Sequence, residues 1–162
     1  MFTAYQNLPD TARVWVYQSN RAFTATEEKH IATQAIEFIN QWTRHGDAVQ
    51  GSFVIKYHQF LIVAVDEKIT NVSGCSIDAS VHFVQDLETA LKIDLLNKLS
   101  VAFKDGDQIN SVSMTAFQQF AKAGKITKDT LVFNNMVQTK KEVETAWEIP
   151  AGKSWHQRFL LK

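Results

Sequence analysis

By type and spacing, three stretches of this sequence hold residues that could do chemistry. They are the tract Gly152-Lys153-Ser154, the lone Cys75 with Asp78 and His82 behind it, and the cluster Trp155-His156-Gln157-Arg158-Phe159. A phosphate-binding loop needs Gly-x4-Gly-Lys-Ser/Thr between a strand and a helix, so that successive backbone N–H groups cradle phosphate at the helix N-terminus. Trp147 stands where the first glycine is required, and Pro150 lies inside the loop. Eight residues follow Ser154, too few for the helix and the later aspartate-bearing strand that hold Mg²⁺. The expectation is that this is not a P-loop ATPase.

Gly74-Cys75-Ser76-Ile77-Asp78 falls at an expected helix start, where the helix dipole lowers a thiol pKa. A thiol nucleophile also needs a base within about 3 Å. His82 lies seven residues on, roughly 10 Å along a helix at about 1.5 Å per residue. A base would have to be His30, His45, His58 or His156, delivered by the fold. Cys75 is therefore read three ways: a packed small hydrophobe, a ligand contact together with Ser76, Asp78 and His82, or a reactive thiol. Asp78 and His82 are spaced to pair on a helix face. The five histidines show no metal-ligating spacing, and one cysteine adds no zinc pattern, so neither a metal nor a cofactor is expected. Trp155, His156 and Arg158 together form a candidate interaction surface, since aromatic and arginine side chains anchor many interfaces.

Composition narrows the classes further. The 162 residues carry no net charge, which argues against a general affinity for nucleic acid or anionic membranes. Residues 1–120 hold 9 basic and 13 acidic side chains, a net of −4, and residues 121–162 hold 8 and 4, a net of +4. One cysteine rules out an intrachain disulfide framework. The N-terminal residues lack the basic and apolar regions of a signal peptide. The longest apolar run, Phe60 to Val65, is far short of the ~20 residues that span a bilayer. A cytoplasmic location is expected, with no membrane contact.

These residues need elements to position them. Val14 to Tyr17 reads as a strand. Thr24 and Glu27 form a capping box, and Ile31, Ala35, Phe38, Ile39 and Trp42 share one helical face up to His45-Gly46. Ser52 to Tyr57 alternates like a half-buried strand, and Phe60 to Val65 is apolar throughout. A polar loop follows, then a second helical stripe at Ile77, Val81, Val84, Glu88 and Leu91, with Leu87 filling it beside Glu88. Leu99 to Phe103 is a strand that ends at the turn Asp105-Gly106-Asp107. The order β-α-β-β-α-β predicts an α+β protein with a ferredoxin-like body over residues 1–108. Its first and third strands are central, matching their continuous apolarity. Two helices cover only one sheet face. The other is expected to be covered by the C-terminal third or by a second copy, giving a homodimer through the sheet. Residues 109–162 form a C-terminal αβ extension packed on the body as one compact unit. It has a helix over Met114–Ala123, anchored by Phe117 and Phe120 and stopped by Gly124. A strand over Thr130–Phe133, an ambiguous stretch Val143–Ile149 and a last strand over Trp155–Leu160 complete it.

Arg13-Val14-Trp15-Val16-Tyr17-Gln18-Ser19, Gly74-Cys75-Ser76-Ile77-Asp78 with Ser80-Val81, and Ser154-Trp155-His156 carry a resemblance. In these the chain resembles, end to end, a family of small soluble bacterial proteins often labelled "ABC transporter ATPase". That label implies ATP hydrolysis. Val72-Ser73-Gly74-Cys75-Ser76 is a loose match to the Leu-Ser-Gly-Gly-Gln signature of transporter ATPases, but it precedes the Gly-Lys-Ser tract, whereas the signature follows the P-loop. Phe117 to Ile126 followed by Asp129-Thr130-Leu131-Val132 resembles the helix–Gly–Ile–strand segment of GYF-like modules, which implies binding of proline-rich peptides; the Gly-Tyr-Phe signature is absent. The resulting expectation is a non-catalytic binding or protein-interaction domain, with an unknown protein partner or small ligand. The alternative is a ligand-binding protein or thiol-dependent enzyme using the Cys75 loop.

Overall fold

The computed structural model describes residues 1–44, 47–66 and 74–160, without the side chains of residues 43, 44, 47, 75 and 76. The protein is α+β, with two antiparallel sheets of three and four strands and a small two-stranded ribbon. It divides into two compact units, Met1–Leu96 with Gln138–Lys141, and Asn97–Val137 with Glu142–Lys162.

The first unit holds β1 (Arg13–Gln18), α1 (Ala25–Gln41), the ribbon β2 (Thr43–Arg44) and β3 (Asp47–Ala48), β4 (Gly51–Lys56), β5 (Phe60–Val65) and α2 (Gly74–Leu91). Thr24 and Glu27 close the capping box at the start of α1, as their spacing dictates. The helix stops at Gln41, where the Trp42 N–H turns back to the Ile39 carbonyl, earlier than the expected stop at His45-Gly46, which lies outside the described residues. Ile31, Ala35 and Ile39 are buried with Trp42, Phe83, Val84 and Leu87 against Leu61, Val63 and Val65.

The sheet order is β1-β5-β4, all antiparallel, so the third strand in sequence lies between the first and second. This is the split β-α-β arrangement that the element order predicts. β5 is 0–1% exposed at every position, on both faces. Phe60, Ile62 and Ala64, which alternate with the helix-facing residues, are buried as well, while Val16 and Val54 beside Ile62 on the same face are half-buried.

The expected fourth strand does not join this sheet. Beyond β1 lies the Gln138–Lys141 segment instead. The Val14 N–H donates to the Gln138 carbonyl at 3.0 Å, the Lys140 N–H donates to the Ala12 carbonyl at 2.9 Å, and Arg13 bridges Thr139. Lys140 is buried, and its ammonium donates to the Leu8 carbonyl at 2.8 Å and lies 5.4 Å from the Tyr5 ring.

The second unit contains β6 (Ser100–Asp105), β7 (Gln108–Ser113), α3 (Met114–Lys122), β8 (Leu131–Phe133) and β9 (Glu148–Pro150). Their order is β7-β6-β8-β9. A boundary at residue 108 would cut the β6–β7 hairpin, whose six pairs run from Ser100↔Ser113 to Asp105↔Gln108. The reason is local. A two-residue turn at Gly106-Asp107, with Gly106 at φ +64, closes a hairpin far more cheaply in chain entropy than a return to the edge of β1. α3 is capped by the Ser113 hydroxyl, which accepts the Ala116 N–H, and Gly124 follows it at φ +78. Val101, Phe103, Phe117, Ile126, Val132 and Ala151 make the core. Val143–Trp147 is a helical turn leading into β9, and Trp155–Phe159 is a 3₁₀ turn rather than the expected strand.

Candidate functional site

The Gly-Lys-Ser tract forms a 3₁₀ turn, Ala151–Lys153, whose backbone is used internally. The Ala151 N–H donates to the Thr130 carbonyl, the Gly152 N–H to the Lys128 carbonyl and the Ser154 N–H to the Ala151 carbonyl. Three N–H groups that a phosphate loop would turn outward are thus occupied. A Cβ on Gly152 would lie 2.9 Å from the Lys128 Cβ, so close packing accounts for the glycine.

Cys75 and Ser76 lie in the first turn of α2, with their side chains outside the described residues. Asp78 and His82 are both exposed on that helix, with no ion pair between them. The described histidines do not gather with acids into a metal cluster: among the described residues no group of three His, Cys, Asp or Glu could hold an ion. His58 Nδ1 meets Glu28 Oε2 at 2.5 Å on the surface.

The cluster at 155–159 is split by the 3₁₀ turn. Arg158 is exposed, its guanidinium 5.1 Å from the Trp155 ring centroid and 5.0 Å from that of Phe159. His156 is 0% exposed, which removes it from the expected interaction surface. Its ring stacks on Trp155 at 3.8 Å and lies 5.6 Å from Phe117. His156 Nδ1 and the buried Ser154 hydroxyl are 2.7 Å apart. His156 Nε2 and Trp155 Nε1 are buried without a hydrogen-bond partner. Burial, and then the nearby Arg158 charge, push the His156 pKa down to about 4. This serine–histidine pair is closed to solvent and packed among rings, so it is structural.

A concave feature of the second unit lies elsewhere. A groove of about 860 Å³ runs between the β6–β7 hairpin and the segment joining α3 to β8. β6 and β8 share only the ladder pair Phe103↔Val132, which leaves space beyond it. Phe103, Phe120, Ile126 and Leu131 supply the apolar surface. Lys104, Asp105, Lys125 and Asp129 supply the charge. Lys104 is paired with Glu148 of β9 at 2.7 Å, and the Lys125 ammonium lies 5.5 Å from the Phe120 ring. Gly106 has open space where a Cβ would stand, so nothing blocks approach to its backbone.

Sequence reasoning placed Phe117 and Phe120 on α3 as anchors but missed the groove. The signals were the glycine turns on either side, at Gly106 and Gly124; what they could not reveal was that β6 turns back on β7. No helix among the described residues is long and apolar enough to cross a membrane. Comparison of the chain with family models, with curated proteins and with solved structures finds no match.

Proposed function

We propose that this chain is a cytoplasmic, non-catalytic protein-interaction domain, and that its binding site is the groove of the second unit. The observation that carries this reading is the groove itself. It combines an apolar floor from Phe103, Phe120, Ile126 and Leu131 with a charged rim, the composition of a recognition site. Its volume of about 860 Å³ suits a few residues of an extended segment. The resemblance of residues 117–132 to GYF-like modules supports the same location, because those residues include α3 and the loop that wall the groove.

The test is selection of a random dodecapeptide display library on the full-length chain. Binding clones are expected, and Phe120→Ala, checked for an unchanged circular dichroism spectrum, should weaken them at least ten-fold. Clones that bind the Phe120→Ala and Leu131→Ser variants as well as the parent would place recognition elsewhere and overturn the reading.

A further inference from the structure

We infer that the groove of the second unit selects an extended segment carrying a lysine or arginine beside an apolar side chain, with Asp105 and Asp129 as the residues that set this preference. The inference rests on the groove being the binding site, and it adds the chemistry of the occupant.

The charges around the groove do not balance. Four ionisable side chains line the groove. The Lys104 ammonium is neutralised by Glu148 at 2.7 Å. The Lys125 ammonium lies over the face of Phe120, where the ring quadrupole holds it. Asp105 and Asp129 are exposed on opposite walls, and neither has an ion-pair partner among the described residues. Asp105 ends β6, and Asp129 precedes β8, so the antiparallel register brings both to the same end of the groove. Asp107, in the hairpin turn, adds a third exposed carboxylate at that end. An entering guanidinium or ammonium therefore meets carboxylates on two sides, with the open backbone of Gly106 between. Its aliphatic stem continues onto the apolar floor, the way long basic side chains cover apolar surface. An acidic segment would meet like charge at the same place. Charge of this kind governs selection and encounter more than total affinity.

The same display selection distinguishes this inference from the reading beneath it. Clones are synthesised and titrated calorimetrically against the full chain and its Asp105→Asn/Asp129→Asn variant. The expected result is enrichment of lysine or arginine in the selected peptides, with a five- to ten-fold loss of affinity in the variant, about what two surface ion pairs supply. That loss should shrink as salt rises from about 0.05 to 0.5 M, because the screening length shortens to about 4 Å, close to the contact distance itself. Peptides without basic residues, including proline-rich ones, that bind parent and variant alike but lose affinity in Phe120→Ala would overturn the charge preference and leave the groove as the site. A library that yields no clone sensitive to Phe120→Ala overturns both.

Discussion

Full burial of His156 against Phe117 and Trp155 leaves its ring one polar partner, the Ser154 hydroxyl, and no anion among the described residues. A protonated ring would place a charge in that apolar setting beside Arg158, which is why its pKa falls to about 4 from 6.5. Above pH 6.5 the ring is neutral whether the chain is folded or not, and stability does not depend on it. Between 6.5 and 4 the unfolded chain binds a proton that the folded chain refuses, so stability falls as the pH falls. A displacement of that size corresponds to about 3 kcal/mol once the pH reaches 4. Urea titrations at pH 7.5 and pH 4.5 are expected to show a larger loss for the parent than for His156→Phe, which cannot titrate. Equal losses in the two proteins would mean that other groups carry the acid sensitivity. Ser154 shows the same economy of polar groups. Its N–H closes the 3₁₀ turn and its hydroxyl meets the histidine. The Gly-Lys-Ser tract is thus used to pin the turn that carries Trp155 and Arg158.

At the scale of elements, the β4–β5 hairpin turns through Tyr57 and His58, at φ +53 and +54. Two consecutive left-handed residues make a type I′ turn, which suits the twist of paired strands and favours Asn-Gly. A side chain in that conformation costs about 1–2 kcal/mol per residue. Tyr57→Asn with His58→Gly should relieve most of it, against at most about 1 kcal/mol lost with the exposed Glu28–His58 pair. The melting temperature is expected to rise by about 2–4 °C. A fall would show that the Tyr57 and His58 side chains contribute more than their backbones cost. The strands either side of this turn were legible from the sequence because their signals are local. β5 begins at Phe60 as the apolar pattern dictates, β4 ends at Lys56, one residue before the expected Tyr57, and α1 starts where Thr24 and Glu27 demand. Strand β7 was not, because Gln108-Ile109-Asn110-Ser111-Val112-Ser113 is mostly polar. Half-exposed along much of its length, it takes its structure from six pairs with β6 rather than from its own residues. The groove inherits that difficulty, since one of its walls is this hairpin.

For the molecule as a whole, composition and element order were sufficient for the α+β class and for the order of the first three strands. They failed at the fourth, because which partner a strand takes depends on competing loop closures that no local pattern records. The edge of β1 was filled from far along the chain, by Gln138–Lys141. This segment is preceded and followed by residues of the second unit, yet its hydrogen bonds run to Asp10, Ala12 and Val14 of the first. Its Lys140 side chain is buried there, donating to the Leu8 and Gln6 carbonyls. Opening of this segment therefore exposes a buried ammonium and unpairs the β1 edge at once, so it is expected to open only with the first unit. Native-state hydrogen exchange resolves this residue by residue. The Lys140 and Lys141 amides, which donate to the Ala12 and Asp10 carbonyls at 2.9 and 3.0 Å, should share the opening free energy of the β1 and β5 amides. They should not follow those of β8 and β9. Lys140→Met, which keeps the stem but removes the donor to Leu8, should lower the protection of Val14, Lys140 and Lys141 together while leaving the β6–β7 hairpin amides unchanged. Exchange of Lys140 and Lys141 in step with β8 and β9 would show instead that the segment belongs energetically to the second unit.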